Sequence, residues 1–244
     1  EDLSMMKNGP GERRRFLDLE LCQLDPTYLY HLSNYNRAAN QRNNLLKQIG
    51  TRKELSDAVS VWDMQLTEYG GGIIKARKKL VEELNELLPE INSKLSGGRD
   101  KLSVKYEPNV SETDFGTKLA MNFERDLFLK ATGNGPHRDD ISFYVGDKNL
   151  KLYGSQGQQR TAALALKLAE IELVRSKIKE SPILLLDDVL SELDRNRQNY
   201  LLENITDLQT MITCTGLEEF IGDRKRYHTF FHVVNGRVFL EEKR

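Results

Sequence analysis

The sequence predicts an α/β fold in which a parallel sheet with flanking helices and hairpins is joined to an α-helical lobe. Three observations support this fold class. Long stretches of the first half carry apolar residues at helical spacing, every three or four positions. The run Ile183–Leu186 is wholly aliphatic, as buried parallel strands are. Alternating residues on both sides of Gly146-Asp147 and of Asn235-Gly236 indicate two β-hairpins in the second half.

The first half of the chain predicts two long helices joined by a short turn. Asp25 before Pro26 is a helix-start signal, and helical spacing continues through residues 27–48. Ser56 is expected to cap a second, longer helix. Two such helices form an antiparallel hairpin.

Breaks are predicted in the longer helix and between two domains. Gly70–Gly72 and Pro89 should each bend or interrupt the helix, and a third helix is expected over residues 112–130. The helical lobe is therefore predicted to cover residues 1–130, and the α/β domain to cover residues 131–244.

The second half is predicted to alternate strands with helices, which is the pattern of α/β proteins. In chain order, the expected elements are a hairpin over 140–153, a helix over 155–177, the aliphatic strand, a helix near 195–203, a strand over 211–215 and a hairpin over 229–242.

Composition excludes several classes of protein. The 244 residues carry a formal net charge of −1, so any nucleic-acid surface must be local. Two cysteines without a C-x-x-C spacing argue against a disulfide framework or a zinc site. The sequence has no apolar run of membrane-spanning length and nothing that resembles a signal peptide, so no membrane contact and a cytoplasmic location are expected.

Two aspartates follow the aliphatic run directly. Ligands of parallel α/β sheets sit outside the carboxyl ends of the strands, where Asp187 and Asp188 are expected. Mg²⁺ held with nucleotide phosphates is a natural partner for carboxylates at that position. Four aliphatic residues followed by an acid form the Walker B pattern, in which Asp187 would orient Mg²⁺ and Asp188 would polarise the attacking water. The alternative is that Asp187 only caps the turn that follows.

A glycine-bearing helix start is the second candidate site. Ser155 and Gln158 fit an S-x-x-Q capping box, so the helix should begin at Ser155. The free N–H groups of such a start favour phosphate, and Gly157 lets the backbone approach a ligand. Taken alone, the pattern fits an ordinary cap of a core helix better. Its place one helix before Asp187 favours a phosphate site.

These motifs together resemble a known class of proteins. Residues 155–158 are similar to the S-G-G-Q signature of ABC-type ATPases, residues 183–188 to their Walker B motif, and "SELD" at 191–194 to their D-loop. More specifically, several stretches of the sequence resemble the RecF family of bacterial recombinational repair proteins, which is related to the SMC class. The stretches that carry this resemblance include "GPGERRRFLD" (9–18), "GPHRDDI" (135–141) and "PILLLDDVLSELD" (182–194).

The resemblance implies part of an ABC-type ATPase head that works as a homodimer in the ATP state. Asp187 would serve Mg²⁺, and Asp188 would serve the hydrolytic water. The residues implied in contacts with the nucleotide of the other subunit, or in connecting the two sites, are Ser155, Gly157, Gln158 and Asp194.

The family also implies partners and a cellular role. Its members are ATP-gated DNA-binding proteins that act at gapped or damaged DNA with a RecR-type recombination mediator. Whether single-stranded, duplex or gapped DNA is preferred stays open. The alternatives are a transport- or translation-associated ABC ATPase and a non-catalytic helical module that binds a partner.

Three departures from the ABC pattern bear on activity. The sequence has no G-x-x-x-x-G-K motif, so the chain is expected to be a segment that lacks the P-loop and to be inactive alone. Cys214 stands where transporters have a switch histidine. Asp188 replaces the usual Glu, and its shorter side chain reaches water less easily, which is consistent with slow hydrolysis.

Basic clusters are candidate DNA contacts. They are Arg13–Arg15, Arg37 with Arg42, and the cations within 75–79. The alternative is that they form solvated helix faces. Because the sequence has no base-reading motif, binding should depend on phosphate contacts and weaken with salt. His137 and Arg138 belong to the resemblance, but no role follows for them.

Overall fold

A computed structural model describes residues 2–48, 52–205, 207–215 and 229–240. The chain forms two compact units, Glu1–Pro182 and Ile183–Arg244, called here the larger and the smaller unit. The larger unit contains the candidate signature, and the smaller unit contains the aspartate pair. The predicted domains instead divide at 130/131, within the larger unit.

The larger unit is mostly helical and contains one small antiparallel sheet of order β1-β2-β3. Its helices are α1 (Asp2–Lys7), α2 (Pro10–Leu24), α3 (Pro26–Leu46), α4 (Arg52–Leu95), α5 (Phe115–Met121), α6 (Phe123–Leu129), α7 (Leu150–Tyr153) and α8 (Gln156–Ile178). Its strands are β1 (Leu102–Glu107), β2 (Asp140–Val145) and β3 (Lys148–Asn149), with a 3₁₀ turn at Pro136–Arg138.

Helices α3 and α4 form the predicted antiparallel hairpin. Arg77, in the second half of α4, donates from Nε to the hydroxyl of Tyr28 near the start of α3, at 3.1 Å. Arg42, late in α3, donates from Nε to Asp63, early in α4, at 2.6 Å. Asp25 caps α3 as predicted, because its side chain accepts a hydrogen bond from the first turn.

Helix α4 is continuous, although a bend or an interruption was predicted at two places. It runs for 44 residues through Gly70–Gly72 and Pro89. The glycines provide space: a Cβ on Gly70 would lie 2.4 Å from Phe115 Cε1, and a Cβ on Gly72 would lie 2.1 Å from His31 Nδ1. An interruption at the glycines was therefore the wrong half of the prediction, because these glycines admit side chains of neighbouring helices without ending the helix.

Two helix boundaries and one strand also differ from expectation. Ser56 lies inside α4 and does not cap it, and the helix expected over 112–130 is the two short helices α5 and α6, which meet at Asn122. Strand β1 was not predicted. Its edge is held by Asn85 of α4, whose side-chain amide makes both hydrogen bonds to the backbone of Val104, at 2.7 and 2.8 Å.

The sequence predicted helix α8 and its start at Ser155, and the structure confirms the helix and its start. Its fully buried residues include Ala162, Ala165 and Leu166, and the helix packs against α4. This packing fixes the exposed start of α8 relative to the helical hairpin.

The smaller unit contains a parallel pair of strands and a separate hairpin. Strand β4 (Leu184–Asp187) pairs with β5 (Thr210–Thr213), and α9 (Arg195–Asn204) lies between them in the chain. Strands β6 (Phe231–Val234) and β7 (Arg237–Leu240) form the second hairpin. Its turn is the predicted one, since Asn235 and Gly236 have φ values of 49° and 75°, as a type I′ turn requires. Residues 241 and 242 of that predicted hairpin lie outside the described residues.

The aliphatic run is not buried on both faces among the described residues. Leu186 is 9% exposed, whereas Ile183 is 63% and Leu185 is 70% exposed. Met211, the β5 partner of Leu185, is exposed as well. The aliphatic run predicted a buried strand, and this is wrong for the face that carries Leu185 and Met211, because no described element covers it.

Candidate nucleotide site

Ser155 caps α8 through both bonds of the predicted capping box. Its Oγ accepts from the backbone N–H of Gln158 at 3.2 Å, and its own N–H donates to Gln158 Oε1 at 3.1 Å. The residue is exposed. Because the hydroxyl oxygen acts as acceptor in the cap, its proton is still available for donation to a ligand.

The first turn of α8 presents open backbone next to this cap. A Cβ on Gly157 would meet nothing closer than Ser155 Oγ at 4.0 Å. The N–H groups of Gln156 and Gly157 belong to the first turn, where amides have no acceptor within the helix. An anion can therefore approach these amides from the side that Gly157 leaves open.

Gln158 is already engaged at both ends of its side-chain amide. Besides the bond to Ser155, its Nε2 donates to Asp100 Oδ2 at 3.2 Å. A cavity of about 540 Å³ borders Gln158 and Asp100 and includes Tyr153 in its wall. Because Nε2 carries a second proton, it can donate to a phosphate while it stays bonded to Asp100.

The aspartate pair lies at the carboxyl end of β4. Asp187 is the last residue of the strand, and its Oδ1 accepts from the hydroxyl of Thr213, at 2.5 Å. Asp188 has a left-handed backbone, with φ of 51°. Its N–H donates to Thr213 O at 3.0 Å and to Thr213 Oγ1 at 3.1 Å. Both aspartates are exposed.

The donor set at Asp187 suits Mg²⁺. The carboxylate has one oxygen bonded to Thr213 and a second oxygen that is available to a metal or to its water shell. Mg²⁺ prefers oxygen ligands and is usually held by one or two carboxylates, substrate phosphates and water. Within the described ranges, no group of three or more His, Cys, Asp or Glu residues forms a metal site by itself. Phosphate and water would therefore supply the remaining ligands.

Asp194, the candidate D-loop acid, caps α9. Its Oδ1 accepts from the N–H of Arg197 at 3.0 Å, and its Oδ2 lies 3.1 Å from Arg197 Nη1. The side chain is 57% exposed, so this ion pair contributes little to stability. Asp194 therefore remains accessible from solvent while it orders the turn that precedes α9.

Cys214 follows β5 and lies near Asp188. Burial, and to a lesser extent the Asp188 carboxylate, raises the pKa of the Cys214 thiol. The thiol is therefore protonated at neutral pH and does not replace the switch histidine of transporters as a base.

Comparison with known proteins identifies the family. A protein from Lachnoclostridium phytofermentans, named DNA replication and repair protein RecF, is 56% identical over 238 residues, which are 98% of this chain and 66% of that protein. A protein of the same name from Lachnospira eligens is 52% identical over 243 residues, covering 99% of this chain and 67% of that protein. This chain belongs to the RecF family. It spans about two thirds of the length of these curated RecF relatives, and no family model matches it.

Solved RecF structures share the fold. A structure of RecF-ATP, a recombination mediator protein in the RecFOR pathway, matches with a TM-score of 0.87 at 33% identity, covering 99% of this chain and 65% of that one. A second RecF structure matches with a TM-score of 0.85 at 34% identity. The predicted combination of an α/β ATPase-head portion and a helical lobe is therefore confirmed.

None of the helices in the described ranges is long and apolar enough to cross a membrane.

Three arginines of the basic clusters are buried in this RecF chain and are not available to DNA. Arg13, Arg42 and Arg77 are 4%, 0% and 2% exposed. Their carboxylate partners are, respectively, Asp140; Asp63 and Asp126; and Asp18 and Asp139. Their burial excludes these three both as DNA contacts and as parts of a solvated helix face. Helical cations look alike in sequence whether they face solvent or a buried acid. The exposed members are Arg15, Arg37, Lys75, Lys78 and Lys79.

The two arginine- and aspartate-rich RecF motifs bind each other. Arg13 makes a two-pronged ion pair with Asp140, at 2.6 and 2.9 Å, and Arg14 donates to the backbone oxygen of Asp139 at 2.9 Å. Asp139 is fully buried and also accepts from Arg77 at 2.9 Å and from the Tyr106 hydroxyl. The opposite charges of "GPGERRRFLD" and "GPHRDDI" were the signal that sequence reasoning missed.

His137 has a structural role in the same region. The Tyr35 hydroxyl lies 2.6 Å from its Nδ1, and its Nε2 lies 3.0 Å from Thr132 O. Burial lowers the pKa of His137, so the ring is neutral at pH 7. A neutral ring that accepts at Nδ1 and donates at Nε2 satisfies both contacts.

Proposed function

We propose that this chain is part of an ATP-gated DNA-binding protein that acts in recombinational repair and replication. Residues 1–130 would form its helical lobe, and residues 131–244 the C-terminal part of its ATPase domain. The observation that carries the proposal is the ordered set of signature, Walker B and D-loop motifs in a RecF chain whose matched relative was solved as RecF-ATP. The relatives' name, DNA replication and repair protein, supports the cellular role.

The start of α8 would bind the γ-phosphate of ATP held by a second subunit. Ser155 offers its hydroxyl proton, and Gly157 leaves the first-turn amides accessible to a phosphate oxygen. Gln158 would join them through the second proton of its Nε2. Because all these donors lie on an exposed helix start, a homodimer in the ATP state is the assembly that they support.

The carboxyl end of β4 would hold Mg²⁺ and water. The available oxygen of Asp187 would bind Mg²⁺ or its water shell, and Mg²⁺ would neutralise the charge that develops on the phosphates. Asp188 would orient the attacking water. Asp194, exposed at the start of α9, would connect the two sites of the dimer. With Asp188 in place of Glu and a protonated Cys214, turnover is expected to be slow, and the activity requires a P-loop that this sequence does not contain.

The proposed partners are DNA and a RecR-type mediator in the cytoplasm. DNA contact would come from the exposed cations Arg15, Arg37, Lys75, Lys78 and Lys79, since phosphate contact needs only accessible positive charge. Such contact does not read bases, so affinity should fall steeply with salt.

The decisive experiment changes Ser155 to Arg in a full-length RecF protein that carries this chain. The wild-type protein is expected to dimerise when ATP and Mg²⁺ are added, as measured by light scattering. S155R removes the hydroxyl and places a bulky side chain over the amides of the first turn, so ATP-driven dimerisation should be lost.

Ser33→Arg is the matched control, because Ser33 is an exposed serine on α3 outside all motifs. It should dimerise like the wild type. Dimerisation that persists in S155R at wild-type ATP concentrations would rule out the proposed role of the α8 start.

A further inference from the structure

We propose that Thr213 is a positioning residue whose single hydroxyl sets both acids of the Walker B pair. The inference rests on the proposed function, since it concerns the same metal and water site. It goes beyond that function because Thr213, on the neighbouring strand, belongs to none of the three motifs.

The register of the sheet places Thr213 opposite Asp187. Strands β4 and β5 are parallel, and Asp187 and Thr213 are the last partners in their ladder. The Thr213 Oγ1 lies 2.5 Å from Asp187 Oδ1 and 3.1 Å from the N–H of Asp188. One hydroxyl therefore bridges the side chain of the first acid and the backbone of the second.

The direction of the hydroxyl proton is fixed by its two neighbours. The Asp188 N–H can only donate, and an ionised Asp187 carboxylate can only accept. The Thr213 hydroxyl must therefore donate to Asp187 and accept from Asp188. This polarity leaves Asp187 with one oxygen committed and the other available to a metal or its water shell.

The second contact holds Asp188 in an unusual backbone conformation. Its φ of 51° is in the left-handed region, which non-glycine residues rarely occupy without local support. The two bonds from its N–H to Thr213 provide that support. This left-handed conformation ends the extended backbone of β4 at Asp187. The Asp188 side chain therefore does not continue the regular alternation of side chains along the strand.

The consequence is a specific division of roles. Hydrogen-bond partners behind a metal-binding carboxylate fix its orientation, and their loss typically reduces metal affinity or activity about 10- to 100-fold. Losing the Thr213 hydroxyl would free Asp187 to rotate and would remove one of the two anchors of Asp188. The Mg²⁺ requirement of the ATP state should therefore rise, and turnover should fall.

The test compares Thr213→Ala with Thr213→Ser in the full-length RecF protein. Both variants lose the methyl group, and only Ser keeps the hydroxyl. Thr210→Val is the control, because Thr210 begins the same strand and, among the described residues, its hydroxyl bonds only to Leu208 O, at 3.2 Å, away from the acids. The readouts are the Mg²⁺ concentration for half-maximal ATP-driven dimerisation, the ATP turnover rate, and the thermal unfolding midpoint without nucleotide.

We expect T213A to raise the half-maximal Mg²⁺ concentration about 10-fold or more, with T213S and T210V close to the wild type. T213A and T213S should unfold at similar temperatures. That result would show that the higher Mg²⁺ requirement of T213A is a local effect at the two acids. Equal Mg²⁺ requirements in T213A and T213S would overturn the inference while leaving the proposed function in place. A wild-type protein with no response to ATP and Mg²⁺ would overturn the proposed function, and the inference with it.

Discussion

At the scale of single residues, charges that look like a nucleic-acid surface instead hold the larger unit together. Arg42 is fully buried and donates to Asp63 at 2.6 Å, to Asp126 at 2.7 Å and to Thr132 at 3.1 Å. Asp126 is itself fully buried. A buried ion pair of this kind adds little net stability as a pair, but breaking it leaves an uncompensated charge in the interior.

Replacing Arg42 by Met should therefore be strongly destabilising. The variant leaves Asp126 buried without its cation, which typically costs about 3–5 kcal/mol. Arg37→Met is the matched control, because Arg37 is exposed on the same helix. It should change the unfolding free energy by no more than about 0.5 kcal/mol. Urea unfolding followed by circular dichroism checks both values. An R42M protein as stable as R37M would show that the buried cluster is not what holds α3 to α4 and α6.

At the scale of elements, the glycine run of α4 shows how tertiary packing overrides local propensity. Glycine lowers helix stability by roughly 0.5–1 kcal/mol per residue relative to alanine, yet three in succession lie inside a continuous helix. Gly70 and Gly72 face aromatic rings and an imidazole of neighbouring helices. At Gly71 a Cβ would lie 3.6 Å from Glu112 Cγ, which is an ordinary contact distance.

Alanine at position 71 should stabilise the protein, whereas alanine at position 70 or 72 should destabilise it. Gly71→Ala should stabilise the protein by about 0.5–1 kcal/mol, because the helix gains propensity without a clash. Gly70→Ala should destabilise it by about 1–3 kcal/mol, because the new methyl would overlap the buried Phe115 ring. Gly72→Ala should also destabilise it, by pushing His31 from its place. Urea midpoints of the three variants, measured side by side, test the order. A stabilised G70A would mean that α4 has room at this crossing.

The elements that could be predicted from sequence are those specified by local signals. The cap at Asp25, the capping box at Ser155 and the Asn235-Gly236 turn each depend on residues within a few positions of one another, and the structure confirms all three. The continuous α4 and strand β1 could not be predicted in the same way. Their formation depends on partners far away in the chain, such as Phe115 against Gly70, or Asn85 against the backbone of Val104.

The same difference between local signals and distant partners applies to the candidate site. Asp187, Asp188 and Ser155 were found because motifs place them, and all three lie on exposed ends of elements. Thr213 was missed, since only the parallel register of β4 and β5 brings its hydroxyl to the acids. The burial of Arg13, Arg42 and Arg77 was missed because their acidic partners come from other segments.

At the scale of the whole molecule, the two compact units differ in how completely they cover their apolar residues. The larger unit buries an extended core along α4, β1 and α8. In the smaller unit, Leu185 and Met211 form an exposed pair across the parallel strands. Every residue of β6 and β7 is exposed, and an isolated two-stranded hairpin is at best marginally stable in water.

This difference predicts that the two units will behave differently when separated. Residues 1–182 alone should fold, giving a helical circular dichroism spectrum and a cooperative urea transition, because the buried apolar residues of α3, α4, β1 and α8 pack within this unit. Residues 183–244 alone should not, because a domain this small supplies little core even when its apolar faces are covered. Amide proton–nitrogen correlation spectra measure this directly: dispersed peaks are expected for 1–182 and collapsed peaks for 183–244. The whole chain, 1–244, serves as the reference. Dispersed peaks and a cooperative transition for 183–244 alone would show that its strands are stable without further cover, and that the exposed Leu185–Met211 face contributes nothing to its folding.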